Sequence, residues 1–249
     1  MRYGASRITG AAFTVLVLAA GAGLIEGGID DGTDSVRASG HAVPDTTFRV
    51  VPDESLVAVV TRRAGPAARL AHDHLVHAER FETRLTFDPD HPTEARFELE
   101  LDVVDLAIDD PDARTRVQDR LVELAILDEP FQEISESQRE DVREEMLDPD
   151  QLGADEYPRI RLRTGRIEDT GSGDHPFRIE VDVELRDQIV TVEFSARIVD
   201  SGDNRIRIEA MGDARFTDFG IEPYRAFLGA VQNRDEFHFY LDLVAERRD

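Results

Sequence analysis

The sequence contains no cysteine and no lysine, and all 29 of its basic residues are arginine. Without cysteine there is no disulfide, no thiolate metal site, no thiol nucleophile and no lipidated cysteine anchor, so the fold rests on packing alone. Positive charge is scarce: 53 Asp and Glu residues face those 29 arginines and leave a net charge of -24 over 249 residues. A surface of that sign repels polyanions, which excludes nucleic acid as a partner and disfavours anionic lipid surfaces. Catalytic signatures are missing as well. Ser55 and Ser195 stand outside any Gly-x-Ser-x-Gly context, and no glycine-rich phosphate loop precedes a helix. Carboxylate pairs such as Asp109-Asp110 and Glu144-Glu145 are as frequent as so acidic a chain demands, and read as solvated faces.

What is present is a hydrophobic content of 41%, interleaved with the acids, which is too much for a disordered acidic tail and enough for a folded core. Arginine as the sole base beside so much Asp and Glu also matches proteins that work in concentrated salt, where the Debye length falls to ~3 Å at 1 M. High genomic GC content gives the same arginine bias by itself.

Arg2 and Arg7 precede an uncharged stretch at residues 8–25 centred on Phe13, Val15, Leu16, Val17 and Leu18. Residues 1–25 therefore read as an export signal, with Ala20-Gly21-Ala22 as a cleavage site, or as a retained N-terminal membrane anchor. Either role places the rest of the chain outside the cytoplasm, in a periplasmic or extracellular setting. Residues 26–45 are rich in Gly, Asp and Ser and form a flexible linker to a domain at 46–247.

In that domain the dominant spacing is two, which lines up alternate side chains on one face of a strand. Phe81, Thr83, Leu85 and Phe87 make one face, and Phe97, Leu99, Leu101 and Val103 another. Phe177, Ile179, Val181, Val183 and Leu185 run through the turn-like Arg186-Asp187-Gln188 into Val190, Val192, Phe194, Ala196 and Ile198, an antiparallel hairpin. Ile206, Ile208 and Ala210 follow, and Phe237, Phe239, Leu241 and Leu243 close the chain. Between Pro111 and Met146 the spacing turns helical at Val117, Leu121, Leu124 and Leu127, and Ser135 with Gln138 offers a capping box for a second helix. The expectation is a mainly β fold, an antiparallel β-barrel of about eight strands with a helical insertion.

The order of these features resembles the YceI-like family of lipocalin-like barrels that hold polyisoprenoid or other long-chain lipids. The resemblance is carried by FRVVPDES at 48–55, FETRLTFDP at 81–89, DEYPRIRL at 155–162, LRDQIVTV at 185–192 and the loop Asp218-Phe219-Gly220-Ile221. Three departures stand out. Leu162 replaces the usual Phe, Arg186-Asp187 occupies a place where Gly is common, and the insertion at 113–146 is longer than in compact members. The resemblance implies an apolar cavity for an isoprenoid, quinone or fatty-acyl chain, with no cofactor required and no enzymatic activity. An eight-stranded barrel is just wide enough to be filled by side chains or to hold one small ligand. Candidate lining residues are Phe81, Leu85, Phe97, Leu99, Val183, Phe194, Ile208, Phe216 and Phe239.

The sharpest local motif is the run Ala71-His72-Asp73-His74-Leu75-Val76-His77. On a strand, His72 and His74 share a face and could ligate one metal, while Asp73 and His77 share the other. A complete site needs a further ligand, with His238, Asp73 or a nearby Glu as candidates. The alternative is that these histidines sit at the mouth or outer face of the barrel and hydrogen-bond locally. Two functions are thus in play: an exported lipid-binding barrel, or a metal-binding or metal-dependent protein centred on His72 and His74.

Overall fold

Alternating β-branched and aromatic residues build twelve strands: β1 (Thr47–Val50), β2 (Leu56–Ala64), β3 (His74–Ala78), β4 (Glu82–Thr86), β5 (Arg96–Asp102), β6 (Leu106–Ile108), β7 (Arg159–Asp169), β8 (Phe177–Leu185), β9 (Gln188–Ser201), β10 (Arg205–Arg215), β11 (Arg225–Ala226) and β12 (Val231–Arg247). Two helices, α1 (Pro111–Glu123) and α2 (Glu136–Leu147), lie between β6 and β7. This computed structural model describes residues 47–248 apart from Asp203. The export segment and linker expected at 1–45 lie outside the described residues.

Neighbouring strands pair antiparallel in the order β1-β4-β5-β7-β8-β9-β10-β12, and β12 returns to β1 through Phe48 opposite Arg247 and Val50 opposite Ala245. That return closes an eight-stranded barrel. At one end the wall continues as a second tier, because short turns bend the chain between strands. The turn at Pro52–Glu54 separates β1 from β2, and the turn at Val103–Asp105 separates β5 from β6. Ser55 pins the first bend: its hydroxyl donates to the Val51 carbonyl at 2.8 Å and accepts from the Val244 amide at 3.0 Å. In the second tier β2 pairs with β12, β3 with β2, and β6 with β3. Among the described residues no strand pairs with the other edge of β6. There Arg143 of α2 donates to the carbonyls of Leu106 (3.1 Å) and Val104 (2.6 Å), so a guanidinium takes the place of a neighbouring strand.

Two apolar layers result. The interior holds Phe48, Leu85, Phe87, Leu99, Phe194 and Leu243, with Phe48 and Phe87 edge to face at 5.9 Å. Packing there depends on Gly212 of β10, where a Cβ would fall 2.7 Å from the ring of Phe194 and 3.0 Å from the Glu193 carbonyl. The second layer lies outside the barrel. Ala113, Val117 and Leu121 recur at helical spacing on α1 and pack with Leu127 on Ala58, Val60, Leu75 and Tyr240. The helix starts at Asp110, whose side chain accepts from the amides of Asp112 and Ala113, with Pro111 in the first turn. Strands β2 and β12 are therefore buried on both faces, unlike the half-polar strands the alternation predicts. The capping box of Ser135 and Gln138 is present at the start of α2.

Candidate ligand cavity

The second tier, α2 and the segment before β12 surround a cavity of about 350 Å³. Odd-numbered residues of β2 face it (Val57, Val59, Thr61), as do His74 and Val76 of β3 and Leu106 and Ile108 of β6. The barrel wall supplies Leu101, Ile160, Leu162, Val183 and Leu185, and β12 supplies Phe237 and Phe239. Val142 and Met146, four apart on α2, turn one face of that helix to the same space, beside the acidic Asp141 and Glu145. Most of the lining is apolar, and the polar Thr61 and His74 stand opposite each other on adjacent strands.

Of the nine candidate lining residues, Val183, Phe216 and Phe239 border the cavity. The other six do not. Leu85, Leu99 and Phe194 are buried in the packed core, and Phe81, Phe97 and Ile208 pack partly buried against it. The reason is that, among the described residues, the end built on β1, β4 and the C-terminal half of β12 is occupied by core side chains such as Phe48, Leu85, Phe87 and Leu243. Phe194 contributes indirectly, stacking on the cavity residue Phe239 at a centroid distance of 5.4 Å. Sequence alternation missed Val57, Val59, Leu106, Ile108 and the α2 stripe. In the run Leu56-Val57-Ala58-Val59-Val60 both faces are apolar, so spacing alone does not tell the inward side from the outward. The pair Val142 and Met146 was a readable signal, being an i, i+4 apolar stripe on an otherwise charged helix.

The histidine segment is arranged differently from the strand expectation. β3 begins at His74, and His72 precedes it in irregular chain, with the two rings 6.3 Å apart. Asp73 accepts the Arg63 amide at 2.8 Å, which occupies it structurally. His238 lies on the outward face of β12 and bonds Asp213 at 2.6 Å, whereas His74 faces inward, so the two cannot share an ion. Among the described residues no group of three His, Asp or Glu side chains is placed to hold a metal. Burial and the neighbouring His74 push the His72 imidazole below its usual pKa.

The partner of His74 is Asp109, from the pair read as a solvated face. Asp109 is 1% exposed. Its Oδ2 lies 2.6 Å from His74 Nδ1 and its Oδ1 accepts the Leu75 amide at 2.9 Å, while its own amide donates to the Leu75 carbonyl at 2.8 Å. The residue has φ of 50°, a left-handed conformation that Asp tolerates better than most side chains. Asp109 thus ends β6 by pairing with β3 through side chain and backbone together, and Asp110 beside it caps α1. Neither acid is a surface charge without a task.

A family model described as the YceI-like domain matches residues 48–245. The crystal structure of Burkholderia cenocepacia BcnA superposes with a TM-score of 0.54 at 13% identity, covering 79% of this chain and 99% of that one. A polyisoprenoid binding domain from Saccharophagus degradans, implicated in plant cell wall breakdown, gives 0.48 at 8% identity over 82% and 99% of the two chains. The Campylobacter jejuni YCEI protein gives 0.46 at 11% identity over 70% and 85%. At such identities the likeness is one of fold, and it is the BcnA superposition that carries it. No curated protein matches the sequence.

Proposed function

Since the chain belongs to the YceI-like family, we propose that it is an exported, non-enzymatic lipid-binding barrel that carries or sequesters an isoprenoid, quinone or fatty-acyl chain. The observation that carries this reading is the apolar cavity of about 350 Å³ inside a barrel whose other end is occupied by core side chains. Proteins rarely leave apolar volume of that size empty, since interiors otherwise pack like organic crystals. Each methylene moved from water into such a space contributes about 0.8 kcal/mol, so a long chain binds firmly with few polar contacts and no catalytic group. Export rests on the Arg2, Arg7 and uncharged 8–25 pattern, and adaptation to salt on the lysine-free, strongly acidic composition.

Native mass spectrometry and solvent extraction of the protein purified from its own host test the reading. One bound chain-length lipid per protein is the expected result. Protein that arrives lipid-free and takes up no added isoprenoid, quinone or fatty acid would overturn it. Leu162→Phe is the companion experiment. Leu162 lines the cavity at 4% exposure, and the family commonly carries Phe there, so the variant should fold normally. It should also narrow the space and weaken long-chain binding by about ten-fold, the effect of losing room for one to two methylenes.

A further inference from the structure

Resting on the lipid-barrel reading, the polar side chains in the cavity wall decide which lipid fits. The geometry points to a headgroup subsite in which His74 Nε2 and the Thr61 hydroxyl hydrogen-bond a neutral, hydroxyl-bearing headgroup, such as a prenol or a quinol.

His74 and Thr61 are cross-strand partners on β3 and β2, and both line the cavity. The ring orientation of His74 is fixed by Asp109, whose Oδ2 lies 2.6 Å from Nδ1; opposite a carboxylate, the neutral imidazole carries its proton on Nδ1. Asp109 is itself held by the Leu75 amide and is a positioning residue. That assignment leaves Nε2 as an acceptor with no protein partner among the described residues, on a side chain that borders the cavity. The Thr61 hydroxyl has no protein partner among the described residues either, although Thr61 is only 7% exposed. Two polar groups without a protein partner among the described residues thus stand on adjacent strands in the wall of an apolar space, the arrangement by which a pocket fixes the polar end of its ligand.

The class of headgroup follows from charge. Asp141 and Glu145 border the cavity, and no arginine borders it among the described residues. A phosphate or fatty-acid carboxylate would share the cavity with those two acids and, at a neutral imidazole, face the lone pair of His74 Nε2, so charge disfavours it. A hydroxyl gives its proton to Nε2 and accepts from Thr61, which satisfies both groups with no charge buried.

The test uses delipidated full-length protein, the neutral fluorophore N-phenyl-1-naphthylamine as the displaced probe, and three ligands with one chain: geranylgeraniol, its acetate ester and its phosphate. In wild type the alcohol should displace the probe about ten-fold more tightly than the acetate, which cannot donate, and than the phosphate. His74→Leu should bring the alcohol to the level of the acetate and leave the acetate unchanged. His74→Leu leaves Asp109 without its ring partner and risks misfolding, so Thr61→Val, which keeps shape and leaves Asp109 untouched, is run beside it and should cost the alcohol about three-fold. Equal affinity for alcohol and acetate, or a preference for the phosphate, overturns the headgroup subsite while leaving the lipid barrel standing. Failure of all three ligands to displace the probe overturns the barrel reading and the subsite with it.

Discussion

Glu209 lies on the outward face of β10 yet is only 4% exposed, because α1 covers it. It accepts from Arg120 Nη2 at 2.7 Å and Nε at 2.9 Å, from Arg197 and His175 at 2.9 Å, and from Tyr240 at 3.0 Å. Burial alone would favour the neutral acid, but the donors from Arg120, His175 and Tyr240 outweigh it and hold the carboxyl at about 2 against an ordinary 4.5. Burial and the Glu209 charge in turn push the Tyr240 phenol well above its usual range. A carboxylate depressed in the folded state contributes stability in full above pH 4.5, and that contribution is lost as pH falls through about 2. Glu209→Gln is therefore expected to lower stability by about 3 kcal/mol at pH 7, since it removes the buried anion that Arg120, Arg197 and His175 share. The gap to wild type should close progressively below pH 4.5, as urea unfolding of both proteins between pH 2 and 7 would show. A gap independent of pH would mean that shape, not charge, is what Glu209 provides. The alternation of Ile206, Ile208 and Ala210 predicts that Glu209 points outward, and it does. That the outward face is itself buried was not legible, because Arg116 and Arg120 on α1 look in the sequence like any solvated arginine until the helix is docked.

At the scale of elements, the hairpin of β8 and β9 was the most readable part of the chain, and Val181 opposite Val192 and Val183 opposite Val190 reproduce the expected register. Its turn is one residue shorter than read. Gln188 already pairs with Leu185, leaving Arg186 and Asp187 alone at φ of 50° and 57°, the two left-handed positions of a type I′ turn. Neither is glycine. Arg186 is kept there by its bond to the Gln151 carbonyl at 2.8 Å and its place over the Tyr157 ring, which tie the turn to the segment bordering the cavity. No such bond holds Asp187 among the described residues. Asp187→Gly should accordingly stabilise the fold by about 0.5–1 kcal/mol, read as a rise in the urea midpoint at unchanged slope. Arg186→Gly should not, because the contacts it removes offset the relief of strain. The helical insertion was legible as two helices, with the capping box of the second but not the Asp110 cap of the first. Its division of labour, α1 sealing the outside and α2 bordering the cavity, was not, because a helix face shows that it is buried and not against which neighbour.

For the whole molecule the question is how a chain of net charge -24 stays folded. Part of the acid is matched locally: Arg161 meets Glu100 at 2.7 Å and Glu184 at 2.9 Å, and Arg163 meets Glu98 at 3.1 Å, a ladder across the outside of β5, β7 and β8. Such exposed pairs contribute under ~1 kcal/mol each. The unmatched excess is illustrated by α2, where the exposed Glu136, Glu140 and Glu144 stand four apart on one face. Successive members of that row are about 6 Å apart along the axis. The Debye length is ~30 Å at 0.01 M salt and ~3 Å at 1 M. Raising salt therefore screens the repulsion along the row almost completely, while ions in direct contact keep much of their attraction. The balance favours the fold as salt rises, so the urea midpoint should increase from low to molar KCl. Joint replacement of Glu136, Glu140 and Glu144 by Gln separates repulsion from a general salting effect. The triple variant should be more stable than wild type at low salt and should gain less from added KCl. Equal stability of wild type at both salt concentrations would leave the arginine bias to genome composition, and equal salt gains in wild type and variant would assign the effect to burial of apolar surface instead of to charge.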